Sequence, residues 1–132
     1  PKNIKFMGFF NYKTICKTLT KYKILLMPYQ KKVGVLIKKV DVSKYFSPLK
    51  LFEYMASGRI IIASDLKVYK GILKDRHNSI ILDPKKINKW VEMINAILKS
   101  EKYNYLGKNA KKDVEKYSWN NRAQRIVAFN KA

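Results

Sequence analysis

Short, unbroken apolar runs alternate along this chain with longer stretches in which apolar residues recur every three or four positions. Ile24-Leu25-Leu26-Met27 and Ile60-Ile61-Ile62-Ala63 carry no polar residue, the pattern of strands covered on both faces in a parallel sheet. Residues 4–8, ending in Gly8, read as a first strand, and residues 78–82, closed by Asp83-Pro84, as a last one. Helical spacing fills the gaps. Asn11 caps a helix predicted over 12–22, with Ile15 and Leu19 four apart on one face. Ser47-Pro48 predicts the start of a helix over 49–57 that Gly58 stops. A short helix is expected over 65–73. Ile87, Val91, Ile94 and Leu98 mark an amphipathic helix whose stripe Trp90 and Ile97 widen. Two more helices are expected over 103–116 and 119–131. Segment 29–47 is basic and without clear period, apart from a candidate strand at 33–37; a loop of that length in a small domain is usually functional.

Strand, helix, strand, helix in this order predicts an α/β fold with a parallel sheet, which takes ligands outside the carboxyl ends of its strands. The chain has 132 residues, enough for one core and too few for two large domains around a cleft. No apolar run approaches the roughly 18 residues that cross a bilayer. One cysteine, Cys16, excludes an internal disulfide framework, and one histidine, His77, excludes a multi-histidine metal site. The formal net charge is +20, from 29 Lys and Arg against 9 Asp and Glu. That charge suits a polyanion: nucleic acid, an anionic membrane face or phosphorylated substrates. The cations are mainly lysines spread along the chain, with four arginines, whereas readers of base edges favour arginine. Lysines on solvated faces account for much of it.

The chemistry concentrates between residues 47 and 64. Free N–H groups at Ser47, Leu49 and Lys50 would point out of the helix start, where the helix dipole favours a phosphate or diphosphate. Lys50 adds a charge. Glu53, one turn further, has acceptor oxygens for a pair of vicinal hydroxyls such as those of a ribose. On spacing alone Glu53 reads first as a solvated helical glutamate.

The wording of the stretch goes further. Ser47-Pro48-Leu49-Lys50-Leu51-Phe52-Glu53-Tyr54-Met55-Ala56-Ser57-Gly58, running on into Arg59-Ile60-Ile61-Ile62-Ala63-Ser64-Asp65, closely resembles the signature of the group 1, or family 4, glycosyltransferases. Gly8-Phe9, the run ending at Met27-Pro28, the strand at 78–82 and the ending Asn109-Ala110, Tyr117-Ser118-Trp119, Arg122-Ala123 resemble further parts of that family's pattern. The resemblance implies retaining enzymes of GT-B architecture, with two Rossmann-like domains. This chain would be the C-terminal, donor-binding half, a single incomplete nucleotide-sugar-binding domain over residues 1–132 that lacks the N-terminal acceptor domain. It further implies that Glu53 holds the donor ribose, that amides near Ser47, Leu49 and Lys50 meet the diphosphate or the sugar, and that the base lies near Gly8 and Phe9. No metal or other cofactor is expected. The implied acceptor is a lipid-linked or surface glycan, as in polysaccharide biosynthesis. The implied setting is the cytoplasm, with peripheral contact to an anionic membrane.

One departure matters. The family pairs two glutamates eight positions apart, and Tyr45 stands where the first would be. Tyr45, Ser43 or Ser47 is then left to contact the transferred sugar. The family's phosphate-binding Arg and Lys are not in the chain either. The isolated chain is expected to turn over no substrate. The competing expectation is a basic nucleic-acid-binding α/β module drawing on the net charge and on nine Tyr, six Phe and two Trp; no recognised RNA motif supports it. Among the remaining residues, Cys16, Trp90 and Trp119 are expected to pack in the interior and His77 to sit in a turn. Lys31, Lys32, Lys38 and Lys39 are expected in a solvated loop, with donor phosphate or lipid as the alternative contact.

Overall fold

The computed structural model describes residues 2–30 and 49–129. Three parallel strands form one sheet in the order β1 (Ile24–Met27), β2 (Ile60–Ser64), β3 (Ile80–Leu82). Ile24 stands opposite Ile60, and Ile62 opposite Ile80. The helices are α1 (Tyr12–Leu19), α2 (Leu49–Ala56), α3 (Ile87–Leu98), α4 (Asn104–Val114) and α5 (Trp119–Phe129), with short 3-10 turns at Lys67–Tyr69, Glu101–Tyr103 and Glu115–Tyr117. This is a Rossmann-like α/β fold. Among the described residues no helix is long and apolar enough to cross a membrane.

β2 is the axis of the molecule, because all five of its residues are buried. Successive side chains on a strand point to opposite faces, so its run of isoleucines feeds two cores. Ile61 and Ala63 join Met27, Leu51, Met55, Tyr69, Leu73 and Ala110. Ile60 and Ile62 join Ile80, Trp90, Ile97 and Leu106. A mixed surface on either side of β2 would leave one of these layers without a floor. Trp90 serves as the expected anchor, its indole N–H donating to the Asp83 carbonyl at 3.0 Å.

Two glycines set how closely the layers approach. Gly58 has φ +67 and ends α2, a left-handed turn that side chains rarely adopt. A methyl built at Gly107 of α4 would collide with the Gly58 carbonyl. The two backbones therefore meet without an intervening side chain.

Four expectations are corrected. Residues 4–8 form no strand: neither edge of the sheet pairs with them, and without a neighbour an alternating segment has no ladder to join. Only a 3-10 turn forms within 65–73. The Asp65 N–H is still bonded to the Leu82 carbonyl at 2.8 Å and Leu66 is extended, so the chain stays tied to the sheet edge, and Gly71 at φ +85 ends the turn. Cys16 is exposed, because α1 buries only Leu19 and Cys16 lies off that face. Trp119 is 79% exposed; α5 buries none of its residues, and the Trp119 ring is met instead by the Arg122 guanidinium 5.5 Å from its centre. The expected helix over 12–22 ends at Leu19, and the strand at 78–82 begins at Ile80. The candidate strand at 33–37, its flanking lysines and the Ser47-Pro48 helix start lie outside the described residues.

Candidate functional site at the carboxyl rim

The start of α2 sits at the carboxyl end of the sheet because the chain arrives there from the end of β1 and must run back to begin β2. Leu51 and Met55, four apart, are fully buried and fix which face of α2 meets the sheet. Lys50 and Glu53 fall on another face. Leu49 and Lys50 are exposed in the first turn, where N–H groups of a helix have no carbonyl four residues back. Glu53 is half-buried, and its carboxylate makes no hydrogen bond or ion pair among the described residues.

The charge of Glu53 reaches Tyr12 at the start of α1. The Tyr12 hydroxyl is held above its ordinary value of 10.0, first by its hydrogen bond with the Cys16 thiol, then by the charges of Cys16 and Glu53. α1 itself starts where Asn11 accepts from the Thr14 N–H at 2.9 Å. Just upstream, Gly8 turns the chain at φ +71, and the Phe9 ring is 97% exposed. Tyr12, at the start of α1, is thus near enough to Glu53 to feel its charge. Ser43, Tyr45 and Ser47 lie outside the described residues, so the sheet's loop side of the proposed cradle is not brought into this arrangement.

A second group of polar atoms lines the same rim. The Ser64 hydroxyl, at the last position of β2, and the Tyr69 hydroxyl are buried and bonded to nothing among the described residues. An unmet buried hydroxyl costs about 1–3 kcal/mol, so two together are unusual. Burial, then the neighbouring Tyr29, pushes the Tyr69 phenol up to about 12. Tyr54, on α2 beside Glu53, is also raised by burial, against the charge of Lys50 and with that of Tyr29 and Glu53. Sequence reasoning singled out Glu53 and did not single out Tyr12, Ser64 or Tyr69. The only hint for Tyr12 was its place beside the Asn11 cap, and for Ser64 its place as the one polar residue closing an apolar run. The contacts of Tyr69 come from tertiary folding and leave no local signal.

His77 occupies the turn expected of it. Its Nε2 lies 3.2 Å from the Asp113 carboxylate, which also accepts from the Asn78 amide at 2.8 Å. That amide also donates to the Ile72 carbonyl, while its oxygen accepts from the Lys74 N–H. Burial pushes the Asp113 carboxyl up, but the Asn78 hydrogen bond and the charges of Lys116 and His77 outweigh it and hold it below 3.8. The Asn78 amide and the Asp113 carboxylate are bonded within the chain, so this corner serves as a structural clasp.

The family model described as glycosyl transferases group 1 matches residues 1–113. No curated protein and no solved structure matches the chain. With the motif at α2, the Rossmann-like sheet and a match over most of its length, the chain belongs to the group 1 glycosyltransferases.

Proposed function

We propose that this glycosyltransferase chain is the donor-binding domain of a retaining enzyme that moves a sugar, a hexose on this reading, from a nucleoside diphosphate to a lipid-linked or surface glycan. The observation that carries it is Glu53: a half-buried carboxylate without a partner among the described residues, one turn into a helix whose start faces the carboxyl rim. Its two oxygens accept from the vicinal hydroxyls of the donor ribose. The free amides at Leu49 and Lys50, with the Lys50 ammonium, take the diphosphate. The Phe9 ring, open to solvent, offers the base a stacking face.

Catalysis on this reading consists of holding the donor and stabilising the negative charge that gathers on the departing diphosphate, which calls for neither a protein nucleophile nor a metal. A second domain supplies the acceptor site and closes the cleft; α5, which buries none of its residues here, offers an unpacked face for it. The chain alone then binds donor weakly and turns nothing over. A cytoplasmic setting at an anionic membrane surface fits the net charge of +20.

Calorimetric titration with a panel of nucleoside diphosphates and their sugars tests this. One member of the panel should bind, and Glu53→Ala should weaken it about tenfold or more. Nucleic acid binding that is steeply salt-dependent and indifferent to Glu53→Ala, with no nucleotide bound, would replace the proposal by a nucleic-acid-binding role.

A further inference from the structure

A second polar hollow lies at the opposite, amino rim of the sheet. It encloses about 450 Å³ and is lined by Lys21, Lys23, Arg59, Lys108, Glu101 and Asn104, among others. We propose that it binds a small phosphate-bearing anion, either a free phosphate or the headgroup of an anionic lipid. The proposal does not rest on the donor-site reading, since none of these residues belongs to the carboxyl rim.

The four cations come from separate parts of the chain and are gathered by the fold. Lys21 and Lys23 lead into β1, Arg59 leads into β2, and Lys108 lies on α4. The Ile60 N–H bonds the Lys23 carbonyl at 3.3 Å, which sets the two strand entries side by side. The backbone contact of Gly107 with Gly58 then presses α4 onto the turn that carries Arg59, so that Lys108, the next residue, overhangs the same hollow.

Charge and hydrogen bonding both leave a vacancy for an anion. Glu101 is the hollow's one carboxylate, and it is already engaged: the Lys23 ammonium donates to it at 2.8 Å and the Asn104 amide donates to its other oxygen. These bonds hold its carboxyl below 4.5. Lys21, Arg59 and Lys108 have no carboxylate to meet there. The Arg59 Nε is buried and bonded to nothing among the described residues. An arginine whose Nε reaches neither water nor an acceptor loses hydrogen-bond energy, and the remaining donors of its guanidinium fork are those a phosphate oxygen in the hollow engages.

The 132-residue chain, labelled with nitrogen-15, is titrated in two arms: with inorganic pyrophosphate, and with phosphatidylglycerol vesicles against phosphatidylcholine vesicles. Saturable shifts in the amides of Lys21, Lys23, Arg59 and Lys108, unchanged by Glu53→Ala and whether or not Lys50 also moves, are expected in the pyrophosphate arm if the source is a free phosphate. Loss of the same signals only on the anionic vesicles identifies a headgroup. Arg59→Gln should weaken either response about tenfold. Lys108→Glu, at an exposed position that leaves the fold intact, should weaken it similarly. No saturable response at the amino rim in either arm, or an equal response in both variants, overturns the proposal.

Discussion

The carboxyl rim and the clasp around Asp113 are built from similar residues and differ in one respect. At the clasp, Asn78 donates to Asp113 and to the Ile72 carbonyl and accepts from Lys74, and His77 joins the same carboxylate. At the rim, Glu53, Ser64 and Tyr69 satisfy nothing in the described chain and nothing satisfies them. Polar groups matched internally add to stability; polar groups left open subtract from it and persist where a ligand completes them. Substitutions should therefore separate the two regions cleanly, stability changing at one and binding at the other.

The largest effect on stability belongs to the scaffold that holds both. Gly107→Ala drives a methyl into the Gly58 backbone and should cost about 3 kcal/mol in chemical denaturation, or prevent folding. Asn78→Ala breaks the clasp, leaves buried partners unmet and should cost about 2 kcal/mol with no change in nucleotide affinity. Glu53→Ala should do the reverse, abolishing most donor binding while shifting stability by less than about 0.5 kcal/mol. If Glu53→Ala instead unfolds the chain, the contrast between the regions collapses.

Acid sharpens the comparison. Asp113 is held below its ordinary value of 3.8, so its contribution is fully present above that pH and lost as the pH falls through the lower folded value. Denaturation of the wild-type chain and of Asp113→Asn should differ at neutral pH and begin to converge only as the pH falls below 3.8 toward the lower folded value. The smallest effect is expected at the rim hydroxyls. Ser64→Ala and Tyr69→Phe remove groups that bond to nothing in the described chain, and each should be neutral or stabilising by about 1 kcal/mol.

Much of the fold was written locally. Uninterrupted isoleucines at β2 and the Gly58 stop of α2 need no tertiary information to read, and both formed where expected. The failures share a cause. The segment at 4–8 and Trp119 have the periodicity of buried elements, but periodicity states only which face would be covered and says nothing about whether a neighbour arrives to cover it. The site divides the same way. Glu53 could be singled out because helix starts and their charges are set within a few residues. Tyr69 and the Arg59 hollow could not, because their surroundings are assembled from residues far apart in the chain.

α2 joins the two ends of the sheet. Eight residues make a rod of about 12 Å, with Lys50 and Glu53 near one tip and the Gly58 turn and Arg59 at the other. At the far tip the rod is seated backbone on backbone against α4, with no side chain to act as a cushion. A tilt imposed at either tip is therefore a tilt of the whole lever, and the fulcrum is two glycines wide.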